Sequence, residues 1–132
     1  MSKKTLKVCL DIDILLDFLK GDEKTAEKID IYIKTKDTEL CIATTTLAEL
    51  YIITDDVEIV DEIKENFVLL PFDENAAKIA REVYDYLEEN KWLIKNISKS
   101  RIYVAATCIA HGALLLTKNR QYYSYIPTLK VL

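Results

Sequence analysis

Glycine is almost missing from this chain: Gly21 and Gly112 are the only two. Neither a phosphate-binding loop nor a dinucleotide fingerprint can be written with them, since both need several glycines at fixed spacing. The single histidine, His111, removes most histidine-based acid–base schemes, and His111-Gly112 reads as the last turn of a helix with its C-terminal stop. Three cysteines, Cys9, Cys41 and Cys108, are far apart and each lies in an apolar segment. They are expected to be reduced core residues rather than a zinc site. No apolar run approaches membrane-spanning length, and the basic start Met1-Ser2-Lys3-Lys4 has no signal-peptide core behind it. A cytoplasmic protein with no membrane partner is expected.

The last absence is of one sign of charge. All 22 acidic residues precede Lys91, where 11 basic residues accompany them. From Lys91 to Leu132 there is no acid, but seven cations: Lys91, Lys95, Lys99, Arg101, Lys118, Arg120 and Lys130. Such a split suits a polyanion or an acidic partner near the C-terminal part, against the plainer reading of a solvated surface that pairs with the acidic part.

What is present is a globular balance, with 50% hydrophobic and 30% charged residues in a single domain, 1–132. Leu6 to Leu10 reads as a buried strand, and Ile14, Leu15, Phe18 and Leu19 then recur at helical spacing up to Gly21. Asp11 falls at the turn between them, with Asp13 two residues on. In parallel sheets the ligand crevice lies beyond the carboxyl ends of strands, so a carboxylate there is placed for chemistry, though it is equally a good helix cap.

The periodicity predicts an amphipathic helix over 22–36, with Ala26, Ile29 and Ile33 as its apolar positions. Leu40 to Ala43 reads as a second strand. Thr44-Thr45-Thr46 follows as a cap cluster for the apolar helix Leu47 to Ile53, whose one charge is Glu49. A carboxylate in such a helix is costly unless paired or bound to a cation. A helix over 55–66 follows, then a third strand, Phe67 to Leu70, stopped by Pro71. Asp73 caps a long helix with Ala76, Ala77, Ile79, Ala80, Val83, Tyr84 and Leu87 inward. Lys91 to Ile97 connects it, with Trp92, to a small-residue helix capped by Ser98 or Ser100. Ala113 to Thr117 is a fourth strand, Asn119 to Tyr123 a short turn, and Leu129 to Leu132 an edge strand. Alternating strands and helices predict an α/β fold: a three-layer α/β/α domain with a parallel sheet of four to five strands.

Asp11, Glu49 and Thr117-Lys118-Asn119 all follow strands and converge at the sheet's carboxyl edge. Clustered carboxylates repel unless a cation compensates them, and hard oxygen ligands select Mg²⁺ or Mn²⁺. Such a metal activates water for phosphodiester cleavage. A phosphoacceptor receiver domain fits less well, since strand three ends in Leu70-Pro71 rather than an Asp.

The chain resembles the PIN domain family, and within it the toxin ribonucleases of the VapC type. The residues that carry the likeness are Leu10-Asp11-Ile12-Asp13-Ile14-Leu15-Leu16-Asp17, Thr46-Leu47-Ala48-Glu49-Leu50, Leu70-Pro71-Phe72-Asp73 with Ala76-Ala77, and Val104-Ala105-Ala106-Thr107-Cys108. Ala110-His111-Gly112-Ala113 and Leu116-Thr117-Lys118-Asn119-Arg120 complete it. The resemblance implies a Mg²⁺- or Mn²⁺-dependent endoribonuclease, held by an antitoxin protein and commonly a homodimer. By it, Asp11, Glu49 and Asp13 are metal ligands, Asn119 assists catalysis, Thr117 belongs to the site's motif after strand four, and Lys118 and Arg120 with the other C-terminal cations grip RNA phosphate. The third acid of the family's pattern, three residues before Val104, is Arg101 here. An arginine there would pair with Asp11 or Glu49 and leave a catalytically inactive RNA- or protein-binding module, unless an acid such as Asp85 or Glu89 substitutes. Leu50, Ile53, Val57 and Val60, too apolar for full exposure, mark the expected dimer surface.

Overall fold

The computed structural model describes residues 5–91 and 97–132. The predicted connection over 91–97, with Trp92, therefore lies largely outside the described residues. The chain runs β1 (Leu6–Leu10), α1 (Ile12–Leu19), α2 (Glu23–Lys34), β2 (Thr38–Ala43), α3 (Thr44–Ile53), α4 (Val57–Lys64), β3 (Val68–Leu70), α5 (Glu74–Glu89), α6 (Lys99–His111), β4 (Leu114–Leu116) and a 3₁₀ turn at Arg120–Tyr122. The four strands form one parallel sheet in the order β3-β2-β1-β4. The expected edge strand shrinks to one bridge, Val131 beside Leu115.

Period-two alternation splits the core. Val8, Leu10, Leu40, Ile42 and Leu116 pack on one face with Ile14, Leu15, Ile29, Leu50 and Val60 from α1 to α4. Cys9, Cys41, Ala43 and Leu115 pack on the other with Ala80, Val83, Leu87, Ala105, Ala106 and Cys108 from α5 and α6. This is the predicted three-layer α/β/α domain. The three cysteines are free and buried, and burial pushes the Cys41 thiol up to about 12. Gly112 ends α6 in the left-handed region at φ 66°, as a C-terminal stop should.

Four local expectations change. Ala77 and Tyr84, expected inward on α5, are exposed, because the inward stripe is Ala76, Ala80, Val83 and Leu87 at three- and four-residue spacing. The buried residues of α2 are Thr25 and Ile29, with Tyr32 packed beside them, while Ala26 is exposed and Ile33 is 61% exposed. The polar Thr25 turns inward because its hydroxyl is taken by Asp22 Oδ2 at 2.8 Å. The Thr44–Thr46 cluster does not cap α3. Its N-cap is Ala43, with no side-chain cap bond, and the Thr44 hydroxyl instead accepts from the Phe72 amide at 3.1 Å. Leu50 and Val60, expected on a dimer surface, are wholly buried in the chain's own core. The apolar residues left outside are Ile52 (81% exposed), Ile53 (54%), Val57 (53%) and Ile59 (41%).

Candidate functional site

β1 ends at Leu10, and the Asp11 amide bonds the Leu116 carbonyl at 3.0 Å, which locks the ends of β1 and β4 together. Asp11 is then the N-cap of α1: its Oδ1 accepts from Ile12 N at 2.9 Å. Its Oδ2 accepts from Thr117 Oγ1 at 2.8 Å. The side chain is 3% exposed, and burial raises its pKa from the ordinary value against the pull of the Thr117 and Ile12 hydrogen bonds, with Asp13's charge adding to the rise.

Asp11 opens into a cleft of about 130 Å³ lined by Ile12, Glu49, Ser98, Ser100, Arg101, Val104 and Tyr123. Glu49 reaches it from α3 and Arg101 from the first turn of α6. The Arg101 guanidinium stacks on the Tyr122 ring, 4.0 Å from its centroid. Tyr123 is wholly buried and its hydroxyl lies against Asp11, with a side-chain hydrogen bond between them acting on both groups. Burial, then the Asp11 charge, holds that phenol well above its ordinary range, with Arg101 pulling the other way.

Asp13 turns elsewhere. Its Oδ1 accepts from Ile14 N at 2.8 Å, and its Oδ2 accepts from Lys118 N at 2.8 Å and Asn119 Nδ2 at 3.1 Å. Neither Asp13 nor Asn119 lines the cleft; together they fix the loop after β4. Thr117 is buried and joins the two carboxylates, with its hydroxyl 2.8 Å from Asp11 and 3.3 Å from Asp13. Lys118 pairs with Asp17, and Arg120 is exposed. Asp85 accepts from Arg81 on the surface of α5, and neither it nor Glu89 reaches the cleft.

The sequence brought Asp11, Glu49 and Asn119 to one edge; the structure places Asp11 and Glu49 in one cleft with Arg101 and leaves Asn119 outside it. Tyr123 was missed as more than a turn residue. Nothing local marks it among Tyr122, Tyr123 and Tyr125; only the tertiary fold buries its hydroxyl beside Asp11.

The class the structure defines is a parallel α/β/α domain with acids at the carboxyl edge of its first strand. The PIN domain family matches over residues 8–126, so the chain belongs to the PIN domain family. No curated protein matches it. Among solved structures it is similar to VapBC2 from Rickettsia felis bound to a promoter DNA fragment, at TM-score 0.81 and 20% identity over 96% of this chain and 98% of that one. It is similar to DNA-bound VapBC from Salmonella typhimurium, at 0.80 and 18% over 97% and 98%. FitAcB from Neisseria gonorrhoeae follows at 0.70 and 18% over 95% and 96%. Identities this low show the fold alone.

PIN domains are in general divalent-metal-dependent nucleases. The donor set here does not fit a resident divalent cation. No group of three or more His, Cys, Asp or Glu among the described residues is arranged to hold a metal. The cleft offers two carboxylates, both oxygens of Asp11 are already bonded, and a guanidinium lines the same space. A guanidinium about 5 Å from a divalent ion repels it by several kcal/mol at an effective dielectric of about 20.

Proposed function

We propose that this chain is the toxin-type member of a toxin–antitoxin pair, working in the cytoplasm on RNA. By this reading it is an endoribonuclease in descent, with its Mg²⁺- or Mn²⁺-dependent hydrolysis impaired by Arg101. The observation that carries the reading is the shared cleft: Asp11 and Glu49 keep the acidic wall of a PIN site, and Arg101 stands in it as the third side chain. The antitoxin partner is supported by the solved neighbours, which are VapBC and FitAcB assemblies. Ile52, Ile53, Val57 and Ile59, exposed on the neighbouring helices α3 and α4, support a homodimer, because exposed apolar residues favour a self-complementary contact.

The test is cleavage of single-stranded RNA, paired with Mn²⁺ thermal-shift titration, for wild type, Asp11→Asn and Arg101→Asp. Arg101→Asp turns two carboxylates and a guanidinium into three carboxylates. It is expected to raise the Mn²⁺-dependent cleavage rate about 10²-fold or more, the scale of one well-placed electrostatic group. Its melting temperature should climb with Mn²⁺ by mass action, while wild type stays flat. Tight Mn²⁺ binding and brisk Asp11-dependent cleavage by wild type would overturn the impairment.

The absence of a three-ligand cluster among the described residues favours a second reading, a catalytically inactive RNA- or protein-binding module. Retained RNA or partner binding with no Asp11-dependent cleavage by wild type selects it.

A further inference from the structure

A second recess lies where α1, α2 and the loop after β4 meet. Its volume is about 310 Å³, and Asp17, Asp22, Lys24, Thr25, Lys28 and Lys118 form its polar lining. It shares no lining residue with the cleft around Asp11. The two acids of the recess are already engaged. Asp22 Oδ2 accepts from Thr25 Oγ1 at 2.8 Å and from Thr25 N at 3.0 Å, and these bonds hold its carboxyl below the ordinary range. Asp17 accepts from Lys118 Nζ, and that bond raises the Lys118 pKa, so the ammonium stays charged.

Lys24 and Lys28 are arranged differently from other helical cations of the chain. Lys34 pairs with Asp30, Lys64 with Asp61, Lys78 with Glu74 and Arg81 with Asp85, each with an acid three or four residues away. Lys24 and Lys28 stand four residues from each other, and neither forms an ion pair with a carboxylate among the described residues. Like charges at that spacing oppose the helix, and an anion between them relieves the repulsion. Within the recess three ammoniums meet two carboxylates, which leaves a surplus of one positive charge. One phosphodiester carries one negative charge. Lysine binds phosphate as a point charge, with three N–H groups free to turn toward its oxygens.

We propose that this recess holds one phosphate of an RNA strand at a second point, outside the acidic cleft, with Lys24 and Lys28 as its donors and Lys118 beside them. The proposal rests on the RNA reading above and adds a site to it. Lys24 and Lys28 lie outside every motif that carries the family likeness. α1 spans the two places: Asp11 opens the cleft, and Asp17 lines the recess six residues on, about 9 Å of helix rise. Lys118 directly follows Thr117, whose hydroxyl bonds Asp11, so the loop after β4 joins them as well. A strand held at both points has its register over Asp11 and Glu49 fixed by the chain between them. Phosphate contacts of this kind set position and carry no base identity.

The experiment is fluorescence anisotropy of a labelled single-stranded RNA of about 20 nucleotides, longer than one module's usual site, on the intact protein. It is run with and without Mn²⁺ across a salt series. The double variant Lys24→Ala with Lys28→Ala is expected to weaken binding about tenfold and to lower the salt slope by about one, as one lost phosphate contact does. Lys24→Arg with Lys28→Arg should stay within about threefold of wild type, because it keeps both charges. Lys34→Ala with Lys36→Ala removes the same charge at the far end of α2 and just beyond it, and should stay within about twofold. All four lysines are exposed, so melting temperatures should hold. RNA binding that the Lys24 and Lys28 alanine pair leaves unchanged, or that the Lys34 and Lys36 pair weakens as much, would overturn the proposal and leave the RNA reading standing. A poly-glutamate peptide that binds in place of RNA and needs Lys24 and Lys28 would overturn it in favour of an acidic protein partner. Absence of RNA binding by wild type in every condition would remove both.

Discussion

Asp11 and Asp13 stand two residues apart at the same sheet edge, and their carboxylates serve different regions. Asp13 faces the loop after β4 and is engaged there by Lys118 N and Asn119 Nδ2, with Ile14 N on its other oxygen. Asp11 faces the cleft, is 3% exposed, and sits beside the buried Tyr123 phenol and across from a guanidinium. One region is a closed hydrogen-bond network that holds β4's exit against α1. The other is a cleft in which the Asp11 carboxylate meets Glu49, Arg101 and Tyr123. In a domain built on clustered acids, the acid with the most bonds is a support, and the acid with fewer is the one exposed to ligand chemistry.

The largest effect expected from breaking this contrast is at Asp13. Asp13→Ala removes the acceptor of two loop donors and the α1 amide at once. Hydrogen bonds to charged groups contribute about 1.5–3 kcal/mol each and are not additive, so a loss of about 3 kcal/mol is expected by denaturant melt. Asp13→Asn should recover part of it. A loss under about 0.5 kcal/mol would show that the loop is held by other means.

Thr117 joins the two regions and ranks second. Its hydroxyl donates to Asp11 Oδ2 and accepts from Asn119 N at 3.1 Å. Thr117→Val keeps the shape and deletes both bonds, leaving a buried carboxylate oxygen short of a donor. A loss of about 1–2 kcal/mol is expected, with Thr117→Ser close to wild type. Equal stability of the Val and Ser variants would mean that the hydroxyl does not couple the regions.

Much of this was legible beforehand because it rests on local pattern. The run Leu6–Leu10 followed by Asp11 wrote a strand, a cap and a helix in consecutive residues. The one position where an arginine replaces the family's acid also lay in plain view. What stayed hidden depends on distant partners. Thr44 caps nothing because Phe72, 28 residues away, takes its hydroxyl. Thr25 turns inward on the strength of Asp22. Leu50 and Val60 looked like interface residues because helix periodicity gives an apolar face but not which neighbour covers it. Asp13's role as a support could not be separated from Asp11's, since both are acids near a strand end. The Tyr123 hydroxyl had no sequence signal at all.

The smallest expected effect carries the opposite sign and sharpens the contrast most. Burial, with Asp13's charge added, raises the Asp11 pKa above its ordinary 3.8, despite the bonds from Thr117 and Ile12. A carboxyl with a raised folded pKa binds protons more tightly in the folded state than in the unfolded one. Its ionised form therefore costs stability at every pH above the folded value. That cost fades as pH falls through the folded pKa and is gone below about 3.8. Asp11→Asn deletes the charge and keeps an equally good N-cap for α1. It is expected to be more stable than wild type at pH 7 by about 1 kcal/mol, the usual scale for relieving a strained functional residue. The advantage should shrink steadily in acid. Asp13→Asn should instead be less stable than wild type at pH 7. Melting temperatures of the two asparagine variants between pH 3 and 8 check both signs. An Asp11→Asn variant that is less stable at neutral pH would place Asp11 with Asp13 as a support, and the division between the two regions would fail.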